Sequence, residues 1–340
     1  MEEQTKLTAL DERVGKNISK LTSFDEVMHE AGFDFNVESV NCHTPEGQAI
    51  KNRFIIRRED NKKILGHVGS RYHAVPNYEM FRPFHRMVKQ YGATYESAGL
   101  IDGGKKCWIA AVLPDSFKLK NRPDDEIQQR IMALVANDGL KRNAYLSVAN
   151  RLFCNNQIGL INRRADQSDY KISHTKNWEP QLIDAQLGFE NALALHKEFE
   201  ANANILDGME MDIREMRGFT TVLLPENTYT NYADRNKKRD KDQEKRKTNR
   251  LNNRREELVH LFTEGAGNRG ITRWDALNAV TEYQDHHNQI KKLDHKKNGY
   301  RNAEKRFVSN VIGGLGDNVK QRAVDLLLNT KKFPKVAAFA

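Results

Sequence analysis

The chain has 340 residues, a formal net charge of +9 and a pI near 9.3, with 38% apolar and 30% charged residues. That length supports one large domain or two ordinary ones with a real core, and no apolar run approaches the ~18 residues of a membrane span. The polar start Met1-Glu2-Glu3-Gln4-Thr5-Lys6 has neither the basic flank nor the apolar stretch of a secretory signal, so the expected location is the cytoplasm.

Three cysteines, Cys42, Cys107 and Cys154, lie far apart. An odd number without Cys-x-x-Cys spacing argues against a disulfide framework and a zinc site, and in favour of free thiols in a reducing compartment.

Ser23-Phe24-Asp25-Glu26 has the spacing of a capping box, and Gly32 is placed to end the helix it opens. Arg53–Arg58 and Ile64–Val68 predict a strand pair around the turn at residues 59–62, the second strand continuing through Val75, where Gly66 and Gly69 suggest a bulge or a bend. Pro76-Asn77 stops it, and Asn77 is expected to cap a helix reaching Gly92, with Pro83 marking a late start or a kink.

Two further hairpins are predicted. One turns at Asp102-Gly103-Gly104 and the other at Asn137-Asp138-Gly139, with a polar connection over 118–129 between them. Residues 182–216 read as one long helix stopped at Gly218. A basic segment follows and merges with an apolar-bearing helix at 258–262. Gly265, Gly267 and Gly270 make a flexible loop, Trp274–His287 forms a helix, and a last helix over 303–330 is interrupted near Gly313-Gly314 and Gly316.

Hairpins with helices between and after them predict an α+β fold with an antiparallel sheet. The expected organisation is an N-terminal helical, polar region (1–50), an α+β core (51–225), a basic linker (226–257) and a C-terminal helical region (258–340).

Charge is concentrated. Arg235–Arg255 holds eleven Lys/Arg against three acids, a net of +8, so the rest of the chain is close to neutral. Such a run gives salt-sensitive, sequence-independent affinity for phosphates; Lys237, Lys238, Arg239, Lys245, Arg246 and Lys247 are its candidate contacts. In the folded body the candidates are Arg71, Tyr72, Lys105, Lys106, Lys141, Arg142, Arg151, Arg163 and Arg164. Cations at hairpin tips beside aromatics suit a single strand, with phosphates on the cations and bases on the rings.

Metal and nucleophile readings are weaker. Glu282 and His286 share a helix face but lack a third ligand, and no HExxH occurs. His67 and His73 would share a face of an ideal strand. Gly313-Gly314-Leu315-Gly316 lacks the Lys-Ser/Thr of a phosphate loop, and Cys154 has no positioned base.

Three stretches resemble a known family: Gly66–Phe81 (GHVGSRYHAVPNYEMF), Asn150–Asn156 (NRLFCNN) and Ile271–His286 (ITRWDALNAVTEYQDH). They are similar, in order, to the motifs of a phage/plasmid-like family catalogued as domain of unknown function 932. The resemblance implies a phage or mobile-element context and, for a phage-encoded protein, the host cytoplasm. The element order is also loosely similar to the core of single-strand annealing recombinases, in which a sheet and a helix build a basic groove.

The expectation is therefore a nucleic-acid-binding protein, with single-stranded DNA favoured, acting in recombination or replication. It needs no cofactor, and a strand longer than one site favours a homo-oligomer. A metal-dependent nucleic-acid enzyme and a host-factor-binding protein are the alternatives. The first of these requires His67, His73, Asp138 or Glu282 to converge.

Overall fold

The computed structural model describes residues 14–151, 156–159, 171–226, 241–288, 298–311 and 314–329. The fold is α+β, with two antiparallel sheets and eight α-helices among these residues.

The small sheet has the order β2 (Val37–His43), β3 (Ala49–Arg58), β4 (Ile64–Val68). The large sheet runs β1 (Lys16–Asn17), β5 (Thr94–Ile101), β6 (Lys106–Leu119), β7 (Arg122–Ala136), β8 (Asn143–Arg151), β10 (Lys171–Ile172), and β9 (Asn156–Gly159) also pairs with β8. The predicted strand pair and both hairpins are present. At the first hairpin turn Asp102, Gly103 and Gly104 all have positive φ, the left-handed conformation for which glycine is chosen.

Alternation along the central strands explains why they read as continuous apolar runs. Cys107, Ile109 and Ala111 of β6, with Ile131, Ala133 and Val135 of β7, face one core. That core is closed by α1 (Phe24–Glu30), α2 (Asn77–Gln90) and the small sheet. Trp108, Ala110, Met132 and Leu134 face the other way, against Phe307 of α7 (Asn298–Asn310). A sheet covered on both faces needs apolar residues at successive positions. A further core forms where the far halves of β6 and β7 (Phe117, Ile127) meet α3 (Trp178–Asp207), α4 (Ile213–Leu223), α5 (Lys241–Glu264), α6 (Arg273–Glu282) and α8 (Leu315–Leu328). The C-terminal helices therefore pack on the sheet.

Several sequence expectations are corrected. The strand expected to run from Ile64 to Val75 ends at Val68, and residues 69–76 form an irregular loop, so His67 and His73 share no strand face. Asn77 does not cap α2. Its amide donates to the Phe33 and Phe35 carbonyls while Pro76 occupies the cap, and Pro83 sits inside the helix. Ser23 occupies the cap of α1 without a side-chain cap bond.

The polar connection expected over 118–129 is mostly strand, because β7 begins at Arg122. The helix expected over 182–216 ends at Asp207. Gly208 breaks it, and α4 starts behind a true capping box of Asp212 and Glu215. Gly218 lies inside α4. Gly265–Gly270 is a tied turn, described below.

Candidate functional site

An open groove of about 920 Å³ lies where four segments converge. These are the first half of β3 (Lys51, Asn52, Arg53), the end of β4 with its following loop (His67–Tyr72), the β7–β8 turn (Gly139–Arg142), and the segment after β10 (Ser173–Thr175). Among the described residues, the sixteen that line it include five cations, Lys51, Arg53, Arg71, Lys141 and Arg142, and no carboxylate. Lys51, Arg53, Arg71 and Arg142 are exposed and make no ion pair with a described residue. Four unneutralised cations lining one concave surface focus a positive potential on whatever enters it.

The turn on one rim is held from both sides. Asn137 donates to the Gly104 carbonyl and to Asn77 Oδ1, both at 3.2 Å. Asn143 Oδ1 accepts the Ala136 amide at 2.8 Å. Asp138 accepts the Leu140 amide at 2.9 Å on one oxygen and Lys106 on the other. Gly139 adopts φ +72°, and a Cβ there would meet Val68 Cγ1 at 2.5 Å. Gly66 faces the same turn, and a Cβ on it would collide with the Asp138 carbonyl. Gly66 does lie beside a bulge, because the register skips Leu65 between the Ile56–Gly66 and Arg57–Ile64 pairs, and it also permits a close approach of two backbones.

Tyr72 and His174 form the groove floor. Their rings stack with centroids 4.6 Å apart and planes 18° apart, and the His73 amide donates to the His174 carbonyl at 2.9 Å. Burial pushes the His174 imidazole down to about 4, so it is neutral at physiological pH. Both of its ring nitrogens are buried close to the Ala136 and His73 backbones, and neither they nor the buried Tyr72 hydroxyl makes a well-aligned hydrogen bond to a described residue. Burial, with Asp138 nearby, raises the Tyr72 phenol.

A second concentration of polar groups stitches the large sheet to the C-terminal helices. Arg151 is 3% exposed and pairs with Asp125, its Nε donating to Oδ1 at 2.6 Å; the indole of Trp274 donates to the same carboxylate at 3.4 Å. Arg122 bridges Asp207 and Asp275, each at 2.7 Å. Burial would raise the Asp275 carboxyl, but hydrogen bonds from Arg122 and Thr272 outweigh it and hold the group below its usual range. Asp207, with burial dominant, is raised.

Glu282 accepts the Ala266 and Gly267 amides at 2.9 and 2.8 Å, which ties down the glycine-bearing turn. Asp285 accepts the Gln157 amide and the Lys320 ammonium, which also donates to the Gln157 carbonyl. Asp285 lies in a π-helical turn, Tyr283–His287, that prolongs α6. The groups are partnered with one another, so the cluster reads as structural.

The structure thus brings Arg71, Tyr72, Lys141 and Arg142 into one groove. It places the other candidates elsewhere. Lys105 pairs with Asp102 at 2.6 Å, Lys106 supports Asp138, and Arg151 is inside the sheet–helix junction rather than on a binding surface. Lys245, Arg246 and Lys247 lie exposed on α5. Arg163, Arg164, Lys237, Lys238, Arg239 and Cys154 lie outside the described residues.

His67 reaches the groove, whereas Glu282 belongs to the second cluster and Asp138 to the turn. Among the described residues no three His, Cys, Asp or Glu are grouped to hold a metal ion, and no helix is long and apolar enough to cross a membrane. Sequence reasoning missed Lys51, Arg53 and His174. The first two had a signal, an Ile-Lys-Asn-Arg run too polar for a strand with a buried face.

The family model described as a domain of unknown function (DUF932) matches residues 64–306. No curated protein and no solved structure matches the chain. The matched stretch contains the groove's β4 loop, its β7–β8 turn and the polar junction except for Lys320, and it spans well over half of the 340 residues. The chain belongs to the DUF932 family.

Proposed function

We propose that the protein binds nucleic acid, single-stranded DNA by preference, along the cationic groove between the small sheet and the β7–β8 turn. The observation that carries this reading is the groove's composition: five Lys/Arg and no Asp/Glu among the sixteen described residues that line it. Phosphates supply the complementary charge, and counterion release gives the affinity. The open shape and a volume of about 920 Å³ suit a short stretch of flexible strand rather than a closed small-molecule pocket. Leu140, His67 and Tyr72 give the groove apolar and aromatic surface that a base can use and a phosphate cannot.

On this reading the exposed basic face of α5, with Lys245, Arg246 and Lys247, adds electrostatic grip. The protein acts in recombination or replication of a phage or mobile element in the host cytoplasm. Copies of the chain associate along strands longer than one site. Holding or annealing strands in this way requires no cofactor.

The test is binding of labelled single-stranded DNA, duplex DNA and single-stranded RNA across a salt series, beside a K245Q/R246Q/K247Q variant. Single-strand binding that is tighter than duplex binding and survives in the variant with a shallower salt dependence is expected. Loss of all binding in the variant moves the site to α5. No binding by the native chain at low salt refutes the proposal.

A further inference from the structure

Leu140 and Leu315 are each 82% exposed, the most exposed of the large apolar side chains among the described residues. A single exposed leucine is ordinary on a protein surface. Leu315 opens α8 and needs no other account. Leu140 differs in its place and its mounting.

It stands at the tip of the β7–β8 turn, on the rim of the cationic groove, followed directly by Lys141 and Arg142. The turn beneath it is fixed rather than loose. The Leu140 amide itself donates to Asp138, Asp138 is held by Lys106, and Asn137 is held by Gly104 and Asn77. Gly66 lets β4 press directly against the turn backbone.

We propose that Leu140 is a wedge that enters between neighbouring bases of the strand held in the groove. This inference rests on the nucleic-acid reading above. An exposed leucine gains from a bound partner only by meeting apolar surface. In a nucleic acid that surface is the faces of the bases, because the sugar–phosphate chain is polar and charged. Apolar side chains that part a base step are a known device of nucleic-acid-binding proteins, and they work when cations nearby hold the backbone and offset the lost stacking. Arg71 and Arg142 are in position to do so. A rigid mounting matters because a mobile loop would yield before the stack did.

The experiment uses short deoxyadenosine oligonucleotides with 2-aminopurine at successive positions, saturated with the full chain. At one or more positions the native chain is expected to raise the fluorescence about twofold or more as the step opens. Leu140→Ala, raised to a concentration that still saturates the oligonucleotide, should abolish that rise, because the phosphate contacts remain and hold the strand without the wedge. Leu140→Phe should keep the rise, and Leu315→Ala should match the native chain. No rise at any position with bound native chain, or an undiminished rise with Leu140→Ala, overturns the wedge and leaves the nucleic-acid reading standing. Failure of every chain to retain any oligonucleotide overturns that reading and the wedge with it.

Discussion

Removing two groove cations gives the sharpest measure of how the groove works. Arg71 and Arg142 are exposed and make no ion pair with a described residue, so the double variant R71A/R142A leaves no buried partner stranded. The five groove cations set an upper limit of about five neutralised phosphates, hence a log–log salt slope of about −3.5 for a single strand; the variant should fall to about −2.1. Between ~50 and ~200 mM salt the native chain then loses about 100-fold in affinity and the variant about 20-fold. At ~0.1 M salt the variant binds about 25-fold more weakly, and the two lines converge on extrapolation to ~1 M, where counterion release vanishes.

Fluorescence anisotropy on a labelled oligonucleotide at five or more salt concentrations reads this directly. Superimposable melting curves for the two chains would show that the fold is intact. Parallel salt lines, or equal affinities throughout, would refute the assignment of the phosphate contacts to this groove.

Three further outcomes concern the frame that holds it. Arg151→Leu leaves Asp125 buried and unpaired and should cost about 3–5 kcal/mol in urea unfolding, with Asp125→Leu added to it restoring most of the loss; a loss under ~1 kcal/mol would contradict a load on this pair. Gly66→Ala forces a Cβ into the Asp138 backbone and should destabilise by about 1–3 kcal/mol, so an unchanged melting temperature would show that the approach is looser than described.

Asp317, buried near Lys320 and Asp285, has its carboxyl raised by burial from 3.8 to about 6. A raised acid binds protons in the folded state first, so its burden on stability grows as pH rises from about 4 to about 6 and is constant above that. Asp317→Asn should therefore stabilise the chain by up to about 3 kcal/mol at pH ~8 and by almost nothing at pH ~4. A gain independent of pH would locate its origin elsewhere.

The hairpins were legible because turn chemistry is local. Asp102-Gly103-Gly104 and Asn137-Asp138-Gly139 carry glycines where φ is positive, and no distant residue is needed to read them. β2 was not legible. Val37 and Val40 are its only aliphatic residues, and none of its seven residues is fully buried, so no alternation betrays it. The break at Gly208 was masked because apolar residues continue in helical register on both sides of it.

Arg151 illustrates the limit for sites. Its partner Asp125 lies 26 residues away on the neighbouring strand, and only the β7–β8 register brings them together. The groove was half legible for the same reason. Lys141 and Arg142 follow a glycine turn that announces exposure, whereas Arg71 read as part of a strand and the contribution of β3 depends on how the small sheet leans on the large one.

The polar junction between the large sheet and the C-terminal helices also bears on how the chain is assembled. Arg122 reaches Asp275 across 153 residues, and Lys320 reaches back to Gln157 across 163. During synthesis the far halves of β6 and β7 emerge long before the helices that cover them. Until α8 leaves the ribosome, Lys320 is missing from its place against β9, and the sheet's lower end stays open to wrong partners. Non-local closure of this kind is slow and leaves strand edges exposed, so a chain cut short before α8 is expected to depend on chaperones in a way the full chain does not.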